Sequence, residues 1–118
     1  MVRALALGVV AIAAVSSGCS GRIAGGEADG PRVFEQACAP CHGPTGRPEP
    51  GQLARGVRDL TSPAFRARVT RALVIHQVQN GSPNKVMPSF AGTLSDAQID
   101  AVARYVVDLP AASAAADR

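Results

Sequence analysis

The stretch Cys38-Ala39-Pro40-Cys41-His42 decides the fold of this chain. A Cys-x-x-Cys-His run is the attachment signature of a c-type haem. Two thiols three residues apart at a helix end can each add to one vinyl group along a porphyrin edge. The next residue, His42, is then held beneath the ring with its imidazole aimed at iron. The run therefore predicts one covalent haem c attached to Cys38 and Cys41, with His42 as an axial iron ligand.

Three other kinds of site use the same cysteine spacing, and they stay open at this point. A redox-active dithiol of the thioredoxin kind needs a preceding strand and a βαβ context, which the pattern of this chain does not predict. A zinc site needs a second pair of ligands, for which only His76 and Cys19 remain. The third alternative is a plain disulfide between Cys38 and Cys41.

The composition indicates that a cofactor fills the core. The chain has 118 residues, enough for one domain, and only four aromatic side chains, with no Trp. A domain this small with so few bulky groups struggles to build a core from its own side chains. The net charge of +3 comes mostly from scattered arginines that are not interleaved with stacking aromatics. We therefore expect no nucleic-acid binding.

Residues 1–18 are typical of a secretory signal peptide. Arg3 is followed by an apolar run of about a dozen residues, which is shorter than the ~20 residues that span a bilayer. The boundary Ser17-Gly18-Cys19 resembles the lipobox of bacterial lipoproteins, although Ser16 stands where Leu is usual. This pattern predicts a periplasmic protein with a lipid anchor at Cys19. Ordinary cleavage nearby, with Cys19 as a free thiol, is the alternative.

The rest of the chain divides into a flexible Gly-rich tether (residues 19–29), one folded domain (30–110) and a disordered Ala-rich tail (111–118). Apolar spacing and capping residues predict three main helices, from Gly30 to about Cys41, from about Thr70 to Gln79, and from the Ser95 cap to Leu109. A short helical turn is expected at Ser62-Pro63. Residues 43–56 and 81–92 read as Gly- and Pro-rich loops. No segment alternates as a strand does, so the predicted class is all-α.

Met87 is the predicted second axial ligand of the iron. It is the only methionine besides Met1. It lies in a predicted loop and is followed by Pro88, and a methionine in that position is poorly placed to fill the core. A soft thioether on a stiffened loop is a suitable iron ligand. His76 is the rival ligand, and a Met87 that simply packs in the core is the other alternative.

In these features the sequence resembles the small bacterial monohaem cytochromes c of class I, over residues 30–109. The shared pattern runs from Gly30-x-x-x-Phe34 and the Cys-x-x-Cys-His-Gly motif, through Met87-Pro88-Ser89-Phe90, to Tyr105 on the last helix. The resemblance implies a cytochrome c-like fold of three main helices, short turns and loops wrapped around one haem. It also implies that Gly30 and Phe34 meet Tyr105 where the first and last helices cross.

The resemblance leaves two features of the site undetermined. The family often orients the proximal imidazole with a Pro carbonyl in a Gly-Pro-x-Leu run, whereas this chain has Pro50-Gly51-Gln52-Leu53. There is no Trp to bind a haem propionate, so an arginine is expected to bind it instead; the candidates are Arg47, Arg55 and Arg58. The simpler alternative is that each of these arginines is a solvated charge on a loop. The haem would pack against apolar side chains, for which the candidates are Leu60, Phe65, Leu73, Val78, Phe90 and Val102.

The function predicted from these features is one-electron transfer with His/Met ligation, not enzyme catalysis. The expected partners are redox proteins such as a dehydrogenase, a terminal oxidase or another cytochrome. The alternative is a haem c subunit of a periplasmic dehydrogenase complex. A haem enzyme or gas binder with an open sixth position is a third hypothesis, and Met87 argues against it.

Overall fold

The computed structural model describes residues 26–111, and within that range the chain is helical without strands. The predicted all-α class is therefore confirmed. The elements are α1 (Gly30–Val33), a π-helical segment (Phe34–Cys38), α2 (Ala39–His42), α3 (Pro50–Ala54), α4 (Pro63–Arg66), α5 (Arg71–Asn80) and α6 (Asp96–Val107). The predicted signal peptide, Cys19 and nearly all of the tail lie outside the described residues. No helix in residues 26–111 has the length and apolar character needed to cross a bilayer.

The first predicted helix is present, but it is not a plain α-helix. Its start follows from Asp29, whose side chain accepts a hydrogen bond from the Arg32 backbone N–H at 3.2 Å. Its middle turns widen into the π-helical segment, which ends where the Ala39 N–H reaches the Phe34 carbonyl. Pro40 has no N–H, and its ring would press on the carbonyl four residues earlier in an α-helix. The wider turn just before Pro40 removes that conflict.

The N-terminal helix crosses α6 closely at Gly30. A Cβ on Gly30 would lie 2.6 Å from the Ala101 carbonyl oxygen and 3.0 Å from the Tyr105 Cβ. One turn further on, the rings of Phe34 and Tyr105 are tilted against each other with centroids 5.2 Å apart. The expected meeting of Gly30 and Phe34 with Tyr105 is confirmed, and only glycine permits this approach.

The last helix, α6, has the predicted start and the predicted buried face. Ser95 and Gln98 form a reciprocal capping box, with N···O distances of 3.2 and 3.0 Å. The residues spaced along one face are buried, namely Ile99, Val102 and Val106, and Leu109, two residues after the helix ends, is buried as well. At the other end, the Arg66 guanidinium donates to the Val106 carbonyl at 2.8 Å and to the Val107 carbonyl. This side chain therefore caps the C-terminus of α6 from α4.

The elements between the two crossing helices are shorter. α5 begins after Thr70, whose hydroxyl accepts from the Leu73 N–H at 3.1 Å, and it agrees with the predicted second helix within one residue. The predicted turn at Ser62 is α4. The prediction that residues 43–56 form only a loop is wrong, because they contain α3. Pro50 is at its first position, where a proline is favourable.

Candidate haem-binding site

A cavity of about 630 Å³ lies between the N-terminal helix, α5 and the loop of residues 82–90. Its wall brings together the four residues that the sequence predicts for haem: Cys38, Cys41, His42 and Met87. Most of the remaining wall is apolar and includes Phe34, Val57, Leu60, Phe65, Leu73, Val74, Val78, Val86, Phe90 and Val106. The fifth predicted site residue, Cys19, lies outside the described residues.

The predicted apolar wall is correct except at one position. Of the six side chains expected to pack against the cofactor, five line the cavity. Val102 does not line it, although its side chain is completely buried. Val106, one turn later on the same face of α6, lines the cavity instead. The apolar face of α6 is longer than the cavity, so its spacing alone does not show which turn faces the cofactor.

The two thiols are free and half-buried. Burial, together with the neighbouring Cys41, raises the pKa of the Cys38 thiol to about 12. A redox-active Cys-x-x-Cys pair requires the opposite shift, since its attacking sulfur is a thiolate with a lowered pKa. The environment of Cys38 thus disfavours the dithiol interpretation and agrees with a pair of covalent anchors.

The imidazole of His42 is oriented by a backbone carbonyl. Its Nδ1 lies 2.9 Å from the Arg58 carbonyl oxygen, so Nδ1–H donates and the Nε2 lone pair is left for a metal. Burial lowers the pKa of His42, and the hydrogen bond to Arg58 opposes that shift in part. The lowered pKa suits a ligand, because neutral imidazole is the form that coordinates iron, and the hydrogen bond to Arg58 fixes the tautomer.

The carbonyl of Arg58 answers a question that the sequence left open. The acceptor is not in the Pro50-Gly51-Gln52-Leu53 run but a few residues later. The chain just after Arg58 is fixed by Asp59, whose Oδ1 accepts from the Thr61 N–H at 2.8 Å and from the Thr61 hydroxyl at 2.6 Å. A backbone acceptor sixteen residues from its donor has no signature in the sequence.

Met87 is half-buried in a loop that is fastened to α5. The Phe90 N–H donates to the Val78 carbonyl at 2.9 Å just after Met87. The rival ligand, His76, is exposed on α5 and does not line the cavity. Its Nδ1 lies 3.3 Å from the Asn80 side-chain nitrogen. The geometry therefore groups Met87, and not His76, with His42 and the two cysteines.

Two arginines line the cavity, and the sequence singled out only one of them. Arg58 is a predicted propionate partner, whereas Arg47 and Arg55 are not in the wall. Arg68 is in the wall and was missed. The sequence feature that indicates Arg68 is its position three residues after Phe65, a residue expected to pack against the cofactor. No carboxylate lines the cavity among the described residues.

The residues present fit a haem c. Two thiols with the required spacing, an oriented imidazole and a thioether share one apolar cavity, and its volume is within the usual range for small-molecule and cofactor sites. Imidazole and thioether are both known axial donors to haem iron. A flat apolar macrocycle also supplies the bulk that the few aromatic side chains do not.

Comparison with known proteins leads to the same family. The family described as cytochrome c oxidase, cbb3-type, subunit III matches residues 26–106. Cytochrome c6 of Leptolyngbya boryana is 41% identical over 83 residues, covering 69% of this chain and 89% of that protein. Cytochrome c6 of Thermosynechococcus vestitus is 33% identical over 108 residues, covering 90% of each chain. The solved structure of the KustC0563 c-type cytochrome aligns with a TM-score of 0.63 at 26% identity, covering 70% of this chain and 98% of that one.

The matched span includes the whole attachment motif, the Met87 loop and nearly all of α6. Fold, cofactor site and relatives therefore agree with one another. The chain is a c-type haem electron-transfer protein, and it belongs to the family of small monohaem class I cytochromes c, which bind their haem covalently.

Proposed function

We propose that the protein is an exported carrier of single electrons whose haem iron is held by His42 and Met87. The observation that carries this proposal is the common cavity wall of these two residues and the two cysteines. Met87 is the only methionine in residues 26–111, so no other thioether of the described chain competes for the role.

Each residue has a distinct part in this function. When bound, haem c supplies an iron that cycles between Fe(III) and Fe(II). Cys38 and Cys41 hold the group by thioether bonds, and the Arg58 carbonyl keeps the His42 ring in the tautomer that leaves Nε2 available. The Met87 thioether favours the reduced metal and raises the potential. The apolar wall excludes water, which limits reorganisation when an electron is gained or lost.

Partner and location follow from this proposal. The partners are redox proteins that dock transiently near the cavity mouth, in the small interfaces typical of electron-transfer complexes. Export to the periplasm is supported by residues 1–18, and lipid attachment at Cys19 by the Ser17-Gly18-Cys19 boundary. A lipid anchor confines the carrier near membrane-bound partners and raises its effective concentration there. The mass of the mature N-terminal peptide tests the anchor, and an unmodified Cys19 contradicts it.

The substitution Met87→Ala tests the ligand set. The oxidised holoprotein should lose the weak sulfur-to-iron charge-transfer absorption in the red, and it should gain affinity for cyanide. Its reduction potential should fall substantially, because axial ligands tune haem potentials over a range of about 0.8 V. Absorption spectra, cyanide titration and potentiometry measure these three changes.

His76→Ala is the matched control, since His76 is exposed and outside the cavity. It should leave the spectrum and the potential as they are. If His76→Ala removes the sixth ligand while Met87→Ala does not, the protein is a bis-histidine cytochrome. If the native protein co-purifies stoichiometrically with a dehydrogenase, it is a haem subunit and not a free carrier.

A further inference from the structure

Ser82 is the first residue of the loop that carries Met87, residues 82–90. Its hydroxyl oxygen accepts a hydrogen bond from the Met87 N–H at 3.0 Å. Its own N–H donates to the Met87 carbonyl at 2.9 Å. Both backbone polar groups of Met87 are therefore held by this one residue.

Asn84 completes the arrangement. Its Oδ1 accepts from the Ser82 hydroxyl at 2.6 Å and from the Val86 N–H at 3.1 Å. Because the Ser82 hydroxyl donates its hydrogen to Asn84 Oδ1, the lone pairs of the Ser82 oxygen remain to accept from the Met87 N–H. The turn between Asn84 and Met87 contains Lys85 at φ 64°, the one non-glycine residue with positive φ among those the structure describes. A side chain rarely adopts that conformation unless the surrounding contacts impose it.

The two ends of the loop are fixed to the same helix. The Gln77 side-chain nitrogen donates to the Gly81 carbonyl at 2.7 Å before the loop, and the Phe90 N–H donates to Val78 after it. A Cβ on Gly81 would lie 2.5 Å from the Met87 carbonyl oxygen, so the backbone just after α5 lies directly against the Met87 backbone. Between these fixed ends, the side chain of Ser82 accepts from the Met87 N–H and that of Asn84 accepts from Ser82 and from the Val86 N–H.

We propose that Ser82 and Asn84 are positioning residues that hold the Met87 sulfur in reach of the iron, an inference that rests on the proposed His42/Met87 ligation. A thioether is a weak ligand for Fe(III), so its occupancy depends on how well the loop is preorganised. Without the Ser82 hydroxyl, the Met87 N–H loses its partner and the loop populates conformations in which the sulfur is withdrawn. An external ligand then competes more easily for the iron.

Titration of the oxidised holoprotein with imidazole tests this proposal. Ser82→Ala should bind imidazole about fivefold more tightly than the unmodified protein, the equilibrium effect of one typical hydrogen bond. Asn84→Ala should change the affinity in the same direction. Ser82→Thr keeps the hydroxyl and should restore the original affinity. The red charge-transfer absorption of Ser82→Ala should also disappear at a lower temperature than global unfolding.

Ser95→Ala is the structural control, because it removes a hydroxyl that caps α6 at the Gln98 N–H and not one that bonds to Met87. It should lower the unfolding midpoint and leave imidazole affinity unchanged. If Ser82→Ala and Asn84→Ala behave like this control, the positioning role is wrong even though Met87 is a ligand. If Met87→Ala itself binds imidazole no more tightly than the unmodified protein, the ligand assignment fails instead.

Discussion

At the scale of single residues, the orientation of His42 depends on a peptide group and not on a side chain. The acceptor is the Arg58 carbonyl, 2.9 Å from Nδ1. Any residue at position 58 supplies that oxygen, which explains how an arginine can serve here. What sets the carbonyl direction is the next stretch of chain, where Asp59 binds both the N–H and the hydroxyl of Thr61.

Asp59→Ala should therefore change the reduction potential, although Asp59 is not itself an iron ligand. Thr61 is buried, and it loses the acceptor of two hydrogen bonds, which costs about 1–3 kcal/mol of stability. The Arg58 carbonyl becomes less fixed, and its hydrogen bond to His42 weakens. A less strongly hydrogen-bonded imidazole is a poorer electron donor, so the reduction potential should rise. Potentiometry and urea unfolding of the holoprotein measure both effects.

Asp59→Asn separates geometry from charge in that experiment. It retains the oxygen that Thr61 needs but removes the negative charge. We expect its potential to lie closer to that of the unmodified protein than the Asp59→Ala value. Equal shifts in the two variants would show that the charge of Asp59, and not the hydrogen bond to His42, controls the potential.

The site residues were predictable only where side-chain chemistry carries the role. Cys38, Cys41 and His42 form a spaced motif, and Met87 is distinctive because methionine is so rare in the chain. The structure brings all four to one cavity. The Arg58 carbonyl and the hydroxyl of Ser82 were not predictable, since a backbone acceptor has no residue preference and serine is common in loops.

At the scale of elements, α1 and α6 cross with no room for a side chain between them at Gly30. The crossing depends on the missing side chain of Gly30, because any Cβ there would collide with the Ala101 carbonyl. The neighbouring ring pair of Phe34 and Tyr105 has the tilted geometry that aromatic side chains prefer.

Gly30→Ala should destabilise the protein by about 1–3 kcal/mol, the usual cost of overpacking a tight contact. Gly51→Ala is its matched control, since Gly51 is in α3 and a Cβ there meets nothing within 4 Å. The control should leave stability unchanged or raise it slightly, because alanine has less unfolded-state entropy to lose. Urea unfolding midpoints compare the two. Equal midpoints for both variants would contradict a sterically closed crossing.

The helices were predictable in proportion to the strength of their capping and spacing signals. α6 has a capping box and a regular apolar face, and Ser95 is its N-cap, as the sequence predicts. α3 was missed because Pro50 and Gly51 were interpreted as loop residues, although a proline favours the first turn of a helix. The π-helical segment was missed because it depends on how Pro40 fits the turn before it.

At the scale of the whole molecule, charge is divided between two parts of the described chain. Residues 43–90 contain seven cationic and two acidic side chains, whereas residues 26–42 and 91–111 together contain two cationic and six acidic ones. The cavity wall belongs mostly to the basic part and includes Arg58 and Arg68. This asymmetry should direct the cavity mouth toward an acidic partner.

Arg68→Gln tests whether positive charge at the cavity mouth attracts an acidic partner. Electron exchange with an anionic reagent such as ferricyanide should become slower and less sensitive to salt, because the attraction at the cavity mouth is reduced. Arg32→Gln removes the same charge from α1, where Arg32 lies beside Glu27, and should have a smaller effect. Stopped-flow rates at several ionic strengths measure both variants, and their potentials are compared first. Equal rates in the two variants would contradict steering at the cavity mouth.

Because the first helix packs against the last one, the fold around the attachment motif is completed only after α6 has been synthesised. A ribosome completes the Cys-x-x-Cys run 64 residues before it adds Tyr105, which covers Phe34 in the finished fold. At usual rates of synthesis that delay is about 3 to 13 s. During this interval the two thiols belong to an unfinished chain, and the enclosure that later buries Cys38 does not yet exist. The order in which the chain is made therefore leaves its anchoring sulfurs accessible before the fold closes over them.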